Sequence, residues 1–399
     1  MDALTEATQG SQFMVVLITG ARAPVALDWA RIAIKSGHQV WLADNLRWPL
    51  GRYLQGVQGY LRLPPPKGDL SAYARALERL LREHKVDLLI PTCEEIFYLA
   101  QARPHVQADA HWFMPETELL FRLHSKLDSL SIMHGLGEVQ APETYLRCSP
   151  DEIENNPDTI LKPVYSRFGR QVIRIPHQAA LTPSQISAAR PWVQQRKIVG
   201  QAICNYALFD QGKLIAHQAY LPEYCFNQAA ASYFEPYTDP RLEEFARQFG
   251  HNTGYHGQAA FDFIEEAGQL FVLECNPRAT SGLHLLRQTL RIDEQGRFAH
   301  TPGPAQPFRI GATLPLFFGA SSLLQGKFGR LLHDYRRAQD ALADEQTPLL
   351  QRAQWLALTE MFYRSARFRR PLTDASTFDI EWDGPDANVD ADPAQDAPC

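Results

Sequence analysis

The stretch AAFDFIEEAGQLFVLECNPR, residues 259–278, decides the reading of this chain. Two apolar, β-rich runs flank the turn Glu265-Glu266-Ala267-Gly268, which predicts a hairpin. Side chains on a strand alternate faces, so Asp262 points opposite to Phe261 and Phe263, while Glu274 and Asn276 share one face of the returning strand. The turn can bring these three oxygen-bearing groups together. Two carboxylates and an amide carbonyl suit a hard cation, Mg²⁺ in particular, which is usually held by one or two protein carboxylates plus substrate phosphates. The alternative is a surface hairpin whose acids merely face water. Against it stands the cost of an unpaired charge inside an apolar strand, where Asp262 lies, or at the end of one, where Glu274 lies.

Upstream, TILKPVYSRFGRQVIRI (159–175) places Lys162 at the end of one strand, then a loop with Ser166, Arg167, Gly169 and Arg170, then a second strand. Such a turn offers backbone N–H groups and cations to phosphate oxygens. Taken alone it reads equally well as a solvated basic hairpin. A third cation, Lys126, sits in a segment predicted to become helical near Ser125. By itself it reads as an ordinary helix-start lysine.

The N-terminal part alternates strand and helix: MVVLIT (14–19), a helix over 22–36, HQVWLAD (38–44), a helix over 69–85 and VDLLIP (86–91). That order predicts a parallel, doubly wound sheet. Glu94 and Glu95 of the loop PTCEE stand at the carboxyl end of its strand, where open α/β sheets bind ligands. Either could bind a substrate amine, or both could be acids favoured by the following helix N-terminus. Beyond about residue 124 the alternation stops. Strands over 159–163, 171–175, 201–209 and 213–221, a helix over 239–254 and the hairpin above make the second region α+β and mostly antiparallel. PEYCFNQAAASYFEPY (222–237) reads as a long connector that could serve as a lid or acceptor-site loop. ATLPLFFGASSLL (312–324) is too short to span a bilayer and is expected to pack inside. The chain turns helical again over about 321–365. Its last residues, DGPDANVDADPAQDAPC, are acidic and Pro-rich, with the composition of a disordered tail.

The chain has 399 residues, a formal charge of −6 and 21% charged residues, which gives no reason to expect nucleic-acid or anionic-membrane binding. The first thirteen residues have neither a basic start nor an apolar run, so a cytoplasmic location is expected. The six cysteines show no paired metal spacing. LITGARAP followed by Asp44 suggests a nicotinamide-dependent oxidoreductase, but GxGxxG is absent and Pro24 stands where close approach is needed.

The order of parts resembles the ATP-grasp superfamily, above all its carbamoyl-phosphate-synthase-like branch. Lys162-Pro163-Val164-Tyr165-Ser166-Arg167-Phe168-Gly169-Arg170 is similar to the branch's phosphate loop, and Glu274-Cys275-Asn276-Pro277-Arg278 to its metal strand, Glu-x-Asn-Pro-Arg. Lys126 and Lys162 fall where the superfamily keeps two ATP-contacting lysines. The resemblance covers residues 14 to about 290. It implies a flexible leader (1–13), a Rossmann-like pre-ATP-grasp domain (14–124), a small lobe (125–198), a large lobe with the metal site (199–320), a helical extension (321–382) and the acidic tail (383–399).

It further implies ATP and Mg²⁺, with Mn²⁺ able to substitute. Asp262, Glu274 and Asn276 would hold the metal. Lys126, Lys162, Ser166, Arg167 and Gly169 would hold phosphates, with Arg170 and Arg278 neutralising charge at the reaction. Adenine would meet the linker PWVQQRKIVGQA (191–202) near Gln195, Arg196, Lys197 and Ile198. Where relatives keep a glutamate for ribose, this chain offers Gln195 and Gln201. The implied reaction activates a small carboxylate as an acyl phosphate for attack by an amine, or by a thiol or hydroxyl. The partners would be those small molecules, with a homodimer as one assembly open to the chain. His256 and His284, which flank the hairpin, read as structural.

Overall fold

The structure, a computed structural model, describes residues 13–166, 172–174, 185–226, 230–343 and 348–384. The chain begins as a parallel sheet of five strands: β1 (Val15–Thr19), β2 (Gln39–Asp44), β3 (Gly59–Arg62), β4 (Leu88–Ile90) and β5 (His111–Trp112). Their order is β3-β2-β1-β4-β5, with helices α1 (Pro24–Lys35), α2 (Leu70–Glu83) and α3 (Ile96–Ala102) as crossovers. β1 and β4 are flanked on both faces, which explains their unbroken Val/Leu/Ile composition. β3 and β5 were not foreseen. With four and two residues they are too short to show a period.

Helices α4 (Thr117–His124) and α5 (Asp128–Met133) follow. Ser125 Oγ accepts from the N–H groups of Leu127 and Asp128, so α5 starts at Asp128 rather than at Ser125, and Lys126 lies in the turn before it. A four-stranded antiparallel sheet then orders β6 (Thr144–Arg147), β7 (Thr159–Pro163), β8 (Ile173–Arg174) and β9 (Trp192–Arg196) as β6-β9-β7-β8.

The largest sheet contains β10 (Gln201–Asp210), β11 (Lys213–Phe226), β12 (Ala230–Tyr237), β13 (Gly257–Glu266) and β14 (Gln269–Asn276). Two of its turns have both central residues at positive φ, Gln211-Gly212 (46° and 84°) and Ala267-Gly268 (50° and 85°). That matches the right-handed twist of the strands they join. Helix α6 (Pro240–Thr253) starts at Asp239, whose carboxylate accepts from Arg241 N, and stops at left-handed Gly254. Its Phe245 and Phe249 pack edge-to-face on Phe261 of β13, with centroids 5.1 and 4.7 Å away.

Two expectations fail here. Most of 222–237 is no connector: β11 runs on to Phe226 and pairs antiparallel with β12, from Ala219↔Tyr237 to Phe226↔Ala230. Aromatics on both faces hide the alternation. Residues 312–324 are not packed inside. They form one π-helical turn (Leu314–Phe318) and α7 (Gly319–Leu324), with Leu314 buried but Leu316, Phe317, Leu323 and Leu324 exposed.

A small hairpin, β15 (Leu290–Ile292) with β16 (Phe298–His300), precedes the C-terminal part. β17 (Phe308–Arg309) and β18 (Gln339–Asp340) complete the large sheet, order β14-β13-β10-β11-β12-β17-β18, and α8 (Phe328–Arg337) lies between them. α9 (Pro348–Phe368) and α10 (Leu372–Ala375) lead the chain back to the first sheet, where Trp382 packs on Phe97, Phe121, His124 and Tyr165. Among the described residues no helix is long and apolar enough to cross a membrane. The leader to residue 12 and the acidic tail from residue 385 lie outside the described residues.

Candidate functional site

The hairpin β13–β14 pairs Asp262 with Glu274 and Ala260 with Asn276. Between Asp262↔Glu274 and Phe263↔Val272 the register shifts, leaving Leu273 as an extra residue. This bulge decides which way the acids point. Strict alternation would put Glu274 and Asn276 on the same face as Leu270 and Val272, both fully buried in the core. One inserted residue turns them to the opposite face, beside Asp262.

The three side chains then meet. Asn276 Nδ2 donates to Asp262 Oδ2 at 3.2 Å, and Asn276 Oδ1 accepts from Arg278 Nη2 at 3.3 Å. Burial, and then the charge of Glu274, push the Asp262 carboxyl well above its ordinary range. Burial acts on Glu274 in the same direction, but the ammonium groups of Lys126 and Lys162 outweigh it and keep its acid strong. Two adjacent, partly desolvated carboxylates are a configuration that a divalent cation relieves. Among the described residues no three His, Cys, Asp or Glu side chains are placed to hold a metal ion by themselves, so a cation here would complete its shell with the amide, water and ligand oxygens.

Both predicted lysines come to this spot. Lys162, at the end of β7, donates Nζ to the carbonyl of Leu273 at 3.3 Å, so the bulged residue supplies its anchor. Burial pushes its pKa down to about 8, Glu274 opposing and Lys126 assisting. Lys126 Nζ lies 3.7 Å from Glu274 Oε2 and donates to the Ser166 carbonyl. Its backbone N–H bonds Val164 O, tying the α4–α5 turn to the end of β7. Both lysines are buried and share one acid, an arrangement with capacity for further negative charge. Arg167, Gly169 and Arg170 lie outside the described residues.

The third wall is the end of the parallel sheet. Arg278 Nε meets Glu94 Oε1 at 2.8 Å, joining the end of β14 to the loop after β4. Glu95 points elsewhere: its Oε1 accepts from Thr19 Oγ1 at 2.7 Å and from the N–H groups of Thr92 and Cys93. The two acids, equivalent by sequence, have separate jobs. Only Glu94 faces Arg278.

The linker places its groups less openly than expected. Arg196 N donates to Glu143 O and Lys197 N to Asp158 O. Gln195 is buried and donates Nε2 to Thr144 Oγ1, and Gln201 is exposed at the start of β10, its Nε2 on the Ala202 carbonyl. Arg196 reaches Glu266. Ile198 is buried. Both histidines contact acids away from the Asp262–Glu274 pair: His284 Nδ1 lies 2.5 Å from Asp28 Oδ2, and His256 sits between Asp210 and His111. Asp44, where a dinucleotide enzyme would bind ribose, is taken by Arg22.

No protein-family model and no curated protein matches this sequence. Solved structures do match its fold. The ADP complex of N5-carboxyaminoimidazole synthetase from Staphylococcus aureus superposes at TM-score 0.57 with 14% identity, covering 79% of this chain and 88% of its own. The L-amino acid ligase from Bacillus licheniformis gives 0.53 at 14%, over 71% and 73%. The biotin carboxylase domain of the Hydrogenobacter thermophilus 2-oxoglutarate carboxylase, a dimer with MgADP, ADP and bicarbonate, gives 0.55 at 16%, over 72% and 68%. At these identities the likeness is one of fold.

Proposed function

We propose that this chain, which has the ATP-grasp fold of those three structures, is an ATP-dependent, ADP-forming ligase that activates a small carboxylate and joins it to an amine. The observation that carries this reading is the convergence, from three separate parts of the chain, of Lys126, Lys162 and the Asp262–Glu274–Asn276 cluster. Two buried ammonium groups beside paired acids suit a polyphosphate held with a divalent cation.

Mg²⁺ would be held by Asp262 and Glu274, with Asn276 turning its amide oxygen toward them. When bound, the ion supplies charge neutralisation across the phosphates. The protein's own part is positioning. Lys126 and Lys162 would hold phosphate oxygens and neutralise the charge that the transfer spreads over them. With the Arg196 and Lys197 N–H groups engaged, adenine contact is assigned to the backbone at Ile198. Phosphoryl transfer converts a carboxylate oxygen into a good leaving group. ADP departs, the amine attacks the acyl carbon, phosphate leaves, and the amine's proton passes to solvent or phosphate. Arg278, oriented by Glu94 and Asn276, would present its planar fork to the substrate carboxylate. A thiol or hydroxyl acceptor would use the same groups.

We further propose the division into a pre-ATP-grasp domain (14–124), a small lobe (125–198), a large lobe (199–320) and a C-terminal extension (321–382). The sheets support the first two boundaries, since none draws strands from both sides of residue 124 or of residue 198, whereas the large sheet crosses residue 320 through β18, which pairs with β17. The reaction is tested by a coupled ADP-release screen of carboxylic acids against amines, thiols and alcohols. A pair that releases ADP and phosphate with product supports the reading. Release of AMP and pyrophosphate overturns it.

A further inference from the structure

Glu95 leads to a second site. Its Oε2 is buried and has no hydrogen-bond partner among the described residues, and neither has the buried hydroxyl of Tyr73. Both line a cavity of about 20 Å³, which also meets Thr19, Arg22, Asp44 and Ile380. That volume holds a single water. Its place in the fold is informative. In the order β3-β2-β1-β4-β5 the chain winds outward from β1 in both directions, so the loops after β1 and β4 diverge. Open α/β sheets bind ligands in the crevice this creates beyond the carboxyl ends of the strands.

Here the crevice is closed by the chain's own C-terminal segment. Arg22, in the turn after β1, sends Nη1 to Asp379 Oδ1 at 2.8 Å and to the Ser376 carbonyl at 2.7 Å. Its other face grips Asp44, with Nη2 2.6 Å from Oδ1. Arg364 Nη2 lies 2.8 Å from the same Asp379 Oδ1. Tyr98 Oη donates to Glu381 O, and Ile380 covers the cavity. Two guanidinium groups thus face two carboxylates, and one of those carboxylates is delivered from a segment more than 350 residues away in sequence. Without Asp379 a buried positive charge would lack its partner, and a carboxylate from solution restores the balance.

We propose that the crevice at the carboxyl ends of β1, β2 and β4 is a binding site for a small carboxylate carrying a hydrogen-bonding substituent, and that Asp379 occupies it as an internal stand-in. The ligand's carboxylate takes the place of Asp379 between Arg22 and Arg364. Its substituent meets Glu95 Oε2 and the Tyr73 hydroxyl, the two polar groups that the segment leaves unmatched. Residues 376–382 lift when the ligand enters. Glu95 adjoins Glu94, the partner of Arg278, so occupancy is felt one residue from the proposed catalytic arginine. This goes beyond the ligase reading, because it requires neither ATP nor the metal strand and either can fail alone.

Hydrogen exchange of residues 376–382 in the full chain, without nucleotide, reads the displacement directly. Acetate, glycolate and glycine are titrated in turn. Glycolate or glycine is expected to speed exchange in this segment at lower concentration than acetate, because acetate has no group for Glu95. In Asp379→Asn, which keeps the shape but removes the competing charge, the midpoint should fall on the order of tenfold, as expected when the closed state is less favoured. Arg22→Gln should abolish the response while its Lys126–Glu274 end still protects normally. Exchange unchanged by all three probes in the wild type and in Asp379→Asn overturns the proposal, as does an undiminished response in Arg22→Gln.

Discussion

Asp28 offers a quantitative test of how helix α1 of the parallel-sheet region is fixed to the segment that follows β14. It is fully buried on α1 and meets His284 Nδ1 at 2.5 Å, Arg31 at 2.9 Å and Arg287 at 3.4 Å. Burial alone would raise its pKa, but these three groups, His284 foremost, bring it down from 3.8 to about 2. That depression corresponds to about 2 kcal/mol of folding stability. Because the folded pKa lies below the unfolded one, that stability is fully present above pH 3.8 and is lost as pH falls through about 2. At pH 3 roughly half remains. Asp28→Asn should therefore lower urea-unfolding stability at pH 7 by at least about 2 kcal/mol, toward the 3–5 kcal/mol typical of a broken buried pair. Repeated at pH 3, the gap between wild type and variant should narrow by about 1 kcal/mol. A gap under about 0.5 kcal/mol at pH 7, or one that does not change with pH, would refute the reasoning.

Two further outcomes concern the candidate site. Arg278→Lys keeps the charge but loses the fork that meets Glu94 and Asn276 together, so kcat/KM for the carboxylate substrate should fall roughly 10²-fold in steady-state assays while the ATP affinity stays near wild type. The buried Lys162, pushed down to about 8, is charged below that pH and neutral above it, so kcat/KM for ATP should decline as pH rises through about 8. Lys162→Arg should flatten that limb, because a guanidinium stays protonated.

How much of this was legible in the sequence depends on the range of the interaction. Asp262, Glu274 and Asn276 can be grouped because one tight turn joins their strands, and the order of parts with the run Glu274-Cys275-Asn276-Pro277-Arg278 carries the resemblance through which Lys126 and Lys162 are placed. The bulge at Leu273 was not legible, since no residue there demands it; the structure alone explains how Glu274 avoids the core and where Lys162 finds an acceptor. The different fates of Glu94 and Glu95 rest on partners 184 and 76 residues distant. Periodicity contains no such information. The return of Asp379 to Arg22 is longer still, and the local composition after residue 370 gave no hint of a buried role. The strand β12 is hidden because aromatics on both faces erase the period of two, and the exposure of Leu316, Phe317, Leu323 and Leu324 is not legible because apolar content says nothing about what covers it.

The central claim is tested most directly by the nucleotide products of Glu274→Gln beside those of the wild type, resolved by chromatography with a productive carboxylate and amine and with Mg²⁺ present. The wild type should yield ADP and phosphate in step with ligated product. The variant should yield almost none while its thermal unfolding stays close to wild type, because Gln keeps the shape and removes the charge that the cation and both lysines share. A variant that turns over ATP at the wild-type rate, or a wild type that yields AMP and pyrophosphate, would contradict it.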